Sequence, residues 1–289
     1  MSRGIRNSHW NYGGRNWKLS RSKIDLFIEC PRCFYLDNKL GIRRPSMPSF
    51  LINSAVDALL KKEFDTHRKS QTPHPLFAEF GIDAIPYQHD KIDTWRENFE
   101  GVIVRHHDTH LTVSGAIDDL WQMSDGTIAV VDYKSTAKDA LDMSSKWIQN
   151  YYRQLEVYQW LLQQSDVNVS PIGFILYANG DLSANSFSGQ VKFRMSLHEH
   201  EGDTKWVEPL LHEIKGTLEL NVVPEAGPEC EHCEYLSMQS KLEGPDHINQ
   251  PQKTPIVKAE PAVSKNVSKT TLTSKDSDSE SVKTQKLFE

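Results

Sequence analysis

GAIDDLWQMSDGTIAVVDYKST, Gly115 to Thr136, is the stretch on which the fold turns. It predicts a β-hairpin: the first strand has β-branched and aromatic content, Asp125-Gly126 is a turn signal, and Thr127 to Val131 is an almost unbroken apolar strand. Side chains alternate across a strand, so Asp132 and Lys134 share one face and Tyr133 takes the other. With Asp118 on the neighbouring strand, two carboxylates and an ammonium point into one space. Two hard carboxylates suit Mg²⁺ or Mn²⁺, and a lysine beside them can orient a water or stabilise charge on a phosphorus oxygen, the parts that phosphodiester hydrolysis uses. An ordinary strand-end ion pair of Asp132 with Lys134, beside a solvated Asp118-Asp119 turn, accounts for the same residues equally well.

Four cysteines occur as two CxxC pairs, Cys30-Pro-Arg-Cys33 and Cys230-Glu-His-Cys233. In a reducing compartment such pairs point to a four-thiolate metal site rather than to two disulfides. A shared site would clip the two ends of the domain together and close a very long loop, which is costly in the unfolded chain and therefore stabilising once made. Unliganded or separately used cysteines are the alternative, and His232 is a further, weaker ligand candidate.

The chain has 289 residues, 38% of them hydrophobic, enough for one main core and an extended tail. It contains no apolar stretch of membrane-spanning length and no signal-peptide core at its start, so a cytoplasmic protein is expected. The net charge of -6 does not announce a nucleic-acid binder, yet Arg3, Arg6, Arg15, Lys18, Arg21 and Lys23 all precede the first acid, Asp25, with Trp10, Tyr12 and Trp17 interleaved. Residues 1–18 thus read either as a flexible basic arm able to track phosphates and stack on bases, or as a frayed terminus.

Ser20 is placed to cap a helix over residues 22–29 that stops near Pro31, and a second short segment follows through Phe34, Tyr35 and Leu36. From Leu51 to His67, Leu51, Ala55, Leu59, Leu60 and Phe64 recur at helical spacing, and Asp57 is the acid of that helix best placed to reach the hairpin. Residues 72–100 read as an insertion with a short helix around Trp95, and Gly101 to Val113 as strands flanking the hairpin. A long amphipathic helix from Trp147 to Gln164 follows, with Trp147 and Trp160 assigned to the core, then a buried strand (172–177), an edge strand (191–197) and a helix (206–218). The order gives an α/β (α+β) core with a mixed central sheet, occupying residues 19–238. From about Gln239 onward the sequence loses nearly all large apolar residues, and residues 239–289 are expected to be a disordered tail. Tyr151, Tyr152 and Arg153 are candidates for stacking on bases or for core packing; His106, His107 and His110 receive no role.

Gln154 and Tyr158 stand one turn apart on the long helix. Together with Gly115-x-x-Asp118, Asp132-Tyr-Lys134, Cys30-Pro-Arg-x-Phe34 and the C-terminal cysteines, this QxxxY resembles the PD-(D/E)XK nuclease superfamily, and within it the RecB-like branch, which includes the nuclease domains of RecB and AddB and CRISPR-associated nucleases of spacer acquisition. The resemblance runs from Leu19 to Cys233 and implies a restriction-endonuclease-like core and a metal-dependent DNA nuclease, expected as an exonuclease on single-stranded or end-processed DNA in repair or recombination. It implies catalytic roles for Asp118, Asp132, Lys134, Gln154 and Tyr158, and Mg²⁺ or Mn²⁺ held by Asp118, Asp132 and the Tyr133 carbonyl, with Asp57 as a further ligand. It also implies an iron-sulfur cluster at Cys30, Cys33, Cys230 and Cys233, with structural Zn²⁺ as the alternative, and a helicase or recombination protein as a partner beside DNA. Two departures stand out: where many relatives have a metal-binding histidine on the upstream helix this chain has Asn53 and Asp57, and its cysteines are divided two and two rather than one and three. A nucleic-acid-binding module of the same fold without catalysis is the competing expectation, and a purely structural zinc protein a third.

Overall fold

The computed structural model describes residues 6–45, 51–137 and 145–242. In chain order its strands and helices are β1 (Leu19–Ser20), α1 (Arg21–Glu29), α2 (Pro31–Asn38), α3 (Leu51–Ser70), α4 (Pro75–Phe80), β2 (Ala84–Pro86), α5 (Ile92–Arg96), β3 (Val102–Arg105) and β4 (Thr112–Gly115). There follow β5 (Asp119–Met123), β6 (Ile128–Thr136), α6 (Lys146–Gln163), β7 (Ile172–Gly180), β8 (Phe193–Glu201), α7 (Val207–Glu219) and α8 (Glu231–Leu242).

The expected hairpin is β5 and β6, antiparallel, with Gly126 in the left-handed conformation (φ 82°) and the Asp125 carboxylate accepting the Thr127 N–H at 2.8 Å. Beyond the hairpin β6 runs parallel to β7, which requires a crossover, and α6 supplies it. The main sheet is mixed, in the order β2-β5-β6-β7-β8, and a small second sheet has the order β1-β4-β3. The fold is therefore the mixed α/β architecture of a restriction-endonuclease-like core.

Alternation along β6 divides the interior in two. Ile128 and Val130 face a cluster built with Leu155, Leu161 and Leu162 of α6 and Leu211 and Ile214 of α7. Ala129, Val131 and Tyr133 face Leu60 and Phe64 of α3 and Phe77 of α4. A strand covered on both faces has no polar side to offer, which explains the apolar run before Asp132.

Several expectations change. On α3 the inward stripe is Asn53, Asp57, Leu60, Phe64 and Arg68, so Leu51 and Leu59, one position out of that register, are 78% and 63% exposed. Trp147 is 66% exposed in the first turn of α6, where Ile148 takes the inward position, whereas Trp160 is core. Ser20 occupies the N-cap of α1 without a side-chain capping bond. The stretch 72–100 contributes the edge strand β2, and Pro86 fits there because an edge strand can spare an N–H. Residues 6–18 pack instead of forming an arm: Arg6 pairs with Asp37 at 2.7 Å, Trp17 donates to Asn38 at 3.0 Å, and Tyr12 and Trp17 lie against the core. Most of the expected tail, residues 243–289, lies outside the described residues, and residues 239–242 complete α8.

Candidate active site

Asp118 stands one residue before β5, and Asp132, Tyr133 and Lys134 are consecutive on β6. The backbone N–H of Tyr133 donates to Asp118 Oδ2 at 3.0 Å, so the strand that carries Asp132 holds Asp118 beside it. Asp132 is fully buried: its Oδ1 accepts the Gln154 amide at 2.6 Å, while Oδ2, outside any hydrogen bond among the described residues, meets the Lys134 ammonium as an ion pair. Gln154 also donates to the Tyr158 hydroxyl at 3.0 Å and accepts from Arg21 at 2.6 Å. Across the cleft, Lys61 of α3 donates to Asp57 Oδ2 at 3.0 Å and to Asp118 Oδ1 at 3.1 Å. The Lys134 ammonium lies 4.9 Å from the centre of the Tyr151 ring, and the cleft is lined by Asn53, Val56, Asp57, Tyr133, Lys134, Ser135 and Tyr151.

These surroundings set the charges. Burial, reinforced by neighbouring Asp118, raises the Asp132 carboxyl to about 6 against the pull of Lys134. Burial also opposes the charge on Asp118, but Lys61, Lys134 and the Tyr133 N–H together hold its carboxyl below the ordinary range. The Asp57 carboxyl is raised by burial and by Asp118. Tyr158, buried near both carboxylates, is held well above the ordinary phenol range. Gly115, the first residue of the GxxD element, has no room for a side chain: a Cβ there would come within 2.7 Å of the Tyr158 ring.

The sequence reading missed Asp119. It is no part of a solvated turn but wholly buried, accepting at Oδ1 from Arg68, from Arg96 at 2.8 Å and from the Leu120 N–H at 2.7 Å, and at Oδ2 from the Tyr133 hydroxyl at 2.5 Å. Asp65 shares both arginines, accepting from Arg68 at 3.1 Å and from Arg96 at 2.8 Å. Arg96 also donates to the Asp118 carbonyl at 3.1 Å, so the network grips the backbone of the residue that faces the cleft. One signal for it was present: Arg68 falls four residues after Phe64 on the inward stripe of α3, where an arginine needs a buried acid.

The four cysteines converge. Their sulfurs all lie within 4.8 Å of one another, with Cys33 at 3.4 Å from Cys233 and 3.8 Å from Cys230, and all four are free thiols. His232 does not join them. Backbone N–H groups of Gly227 and Cys33 point at Cys30 at 3.2 and 3.4 Å, that of Cys233 at Cys230 at 3.4 Å, and Arg44 donates to Cys230 at 3.0 Å. Two further bonds join α2 to the segment before α8: Tyr35 to the Leu220 carbonyl at 2.8 Å and Arg32 to the Pro224 carbonyl at 3.1 Å. Elsewhere, Tyr152 stacks on His200 at 4.0 Å and Arg153 pairs with Asp25 at 3.3 Å. His106 is bound to Thr109 and Glu208, while His107 is exposed.

A sequence model of the PD-(D/E)XK nuclease superfamily matches residues 51–238, more than half of the chain. The chain belongs to the PD-(D/E)XK nuclease superfamily. Superfamily members are nucleases that use divalent metal ions and act on DNA. The match takes in α3, the hairpin, α6 and the second cysteine pair, and begins after Cys30 and Cys33. No curated protein matches the sequence. Among solved structures, the crystal structure of SSO0001 aligns over 76% of this chain and 84% of its own at 13% identity with a TM-score of 0.39, a likeness too distant to carry an argument.

In this superfamily member, replacing Asp119 by alanine leaves two buried guanidinium groups short of their acceptor. The expected loss is about 3–5 kcal/mol of folding stability, read from urea denaturation, because an uncompensated buried charge costs that much. A loss below 1 kcal/mol would remove Asp119 from the centre of the fold.

Proposed function

We propose that this chain is a metal-dependent DNA nuclease in which Asp118 and Asp132 hold a divalent ion and Lys134 serves the attacking water. The observation that carries the reading is the single backbone contact from Tyr133 to Asp118, which sets two carboxylates beside Lys134, itself a lining residue of the cleft, in a chain of this superfamily. The donor set fits Mg²⁺ or Mn²⁺: hard carboxylate oxygens, one of them on Asp132 buried and lacking a hydrogen bond, with Asp57 and the Tyr133 carbonyl as further ligands. When bound, such an ion supplies Lewis-acid stabilisation of the scissile phosphate and lowers the pKa of a bound water. Lys134, now paired with Asp132, would orient the attacking water and offset charge that grows on the phosphate oxygens. Gln154 fixes the rotation of the Asp132 carboxylate, and Tyr158 backs Gln154, so both are positioning residues, away from the substrate.

The RecB-like branch, the exonuclease mode, the preference for single-stranded or end-processed DNA, and work in repair or recombination beside a helicase rest on the motif order and the paired cysteines. The absence of any helix long and apolar enough to cross a membrane among the described residues is compatible with a cytoplasmic setting. The Lys61 ammonium on Asp118 favours the second reading, a DNA-binding module without catalysis, since it competes with an ion for that carboxylate.

For the cysteines, sulfur spacing supports the zinc alternative over the cluster. A tetrahedral ion with Zn–S bonds of about 2.3 Å sets its thiolates roughly 3.8 Å apart, whereas a four-iron cluster gives each thiolate its own iron and spreads them wider. Three of the six sulfur separations are 3.4–3.8 Å and all lie within 4.8 Å, nearer to the single-ion spacing, and the N–H groups and Arg44 aimed at the sulfurs compensate thiolate charge.

Wild-type protein is expected to cleave labelled single-stranded DNA with Mg²⁺ or Mn²⁺, and Asp132→Ala and Lys134→Ala to lose at least ~100-fold in rate while staying folded. Cleavage by Lys134→Ala at the wild-type rate would overturn the assignment, and a folded, inactive wild type would favour the binding module. Because Asp132 carries its proton up to about pH 6, the bound proton competes with the ion. Mn²⁺ affinity measured without DNA should fall as the pH drops through about 6, with proton release on binding. Anaerobically purified protein should be colourless with one zinc per chain, and its removal should raise hydrogen exchange in α2 and α8 together; a brown protein with iron and sulfide would restore the cluster.

A further inference from the structure

Two ammoniums serve the three carboxylates: Asp132 has Lys134, and Asp118 shares Lys61 with Asp57. Lys61 is not a surface cation that happens to lie near. Its side chain is 21% exposed, it sits one helical turn from Asp57, and it reaches Asp57 at 2.9 Å and Asp118 at 3.1 Å. The second oxygen of Asp118 is already committed to the Tyr133 N–H, so Lys61 occupies the oxygen that remains for a ligand in the cleft. Asp57, Asp118 and Asp132 carry three negative charges against the two positive charges of Lys61 and Lys134, a net charge of -1, and moving Lys61 off Asp118 frees that carboxylate for a divalent ion. With Lys61 in place, an ion arriving at Asp118 meets a like charge about 3 Å from its ligand, a strong repulsion at the low effective dielectric of a partly buried site.

We infer that Lys61 is a built-in counter-ion that holds the metal position beside Asp118 and is displaced when the divalent ion binds. The inference rests on the reading of Asp118 as a metal ligand. A lysine suits exchange because its charge sits on a flexible four-carbon stem with three freely turning donors. Asp57 retains it after it leaves Asp118 and keeps the ammonium at the cleft, where a phosphate oxygen of the incoming nucleic acid is its next partner. Metal loading is then weak in free protein and strengthened by DNA, since the strand that arrives with the ion supplies the displaced lysine with an acceptor. Helix α3 thus supplies both an acid, Asp57, and a base, Lys61, and the base reduces the net negative charge of the site without metal.

The test is Mn²⁺ affinity without DNA, by calorimetry and by the electron paramagnetic resonance of free Mn²⁺, for wild type, Lys61→Met, Lys61→Arg, Asp118→Asn and Lys61→Met/Asp118→Asn, each checked for an intact melting transition. Methionine keeps the length and apolar stem of lysine without its charge, so Lys61→Met should bind Mn²⁺ about tenfold more tightly or better, and the gain from adding a short phosphorothioate oligonucleotide should shrink. Lys61→Arg, which keeps the charge, should stay near wild type. Equal or weaker binding by Lys61→Met, with Asp118→Asn abolishing binding, would overturn the counter-ion inference and leave the metal site standing. Tight binding retained in the double variant would place the ion elsewhere and overturn both.

Discussion

Everything at the cleft depends on one buried carboxylate. Asp119 takes a phenol hydroxyl on one oxygen and two guanidinium groups on the other, in an interior where a lone charge would be intolerable. Tyr133 is the hinge of this arrangement because it is held at both ends: its hydroxyl by Asp119 on one face of the sheet, its backbone N–H by Asp118 at the strand edge. The backbone of the residues on either side of it, Asp132 and Lys134, is thereby held in position. A hydrophobic residue at 119 would pack as well, yet it would leave Arg68 and Arg96 with Asp65 as their one shared carboxylate among the described residues. The network therefore contributes placement more than net stability, which is the usual standing of fully paired buried charges.

A second restraint reaches Asp132. Arg21 opens α1 and bonds Gln154, which orients Asp132; the same helix ends at Cys30, against the cysteines of α8 and the segment before it. One short rigid helix thus has the thiolate cluster at one end and the cleft at the other. Neither cluster touches the other directly, and α1 is what they share.

The parts legible in the sequence were those encoded locally. Asp125-Gly126 fixed the turn, the apolar run Thr127 to Val131 fixed the strand, and period two then put Asp132 and Lys134 together with no further information needed. The CxxC pairs announced their convergence by residue type alone. What stayed hidden was encoded at a distance. Asp118 and Asp119 are chemically identical neighbours, and which of them is buried depends on arginines 51 and 23 residues away. The inward stripe of α3 could not be read from leucine spacing because polar residues fill it where it passes the cleft: Asn53 and Asp57 occupy the face that Leu60 and Phe64 continue. The basic N-terminal residues looked solvated because acceptors such as Asp37 for Arg6 and the Phe99 carbonyl for Lys18 come from distant parts of the chain.

The 200 residues between Cys33 and Cys233 also impose an order in time. A ribosome adding roughly 5–20 residues per second releases the first cysteine pair tens of seconds before the second. In that interval α3, the hairpin and α6 have emerged, so Asp119 can find Arg68, Arg96 and Tyr133 while Cys30 and Cys33 still lack half of their ligand set. An ion held by all four thiolates completes its ligand set only after the strands of the main sheet have been made, and its capture marks a chain that has been read into α8.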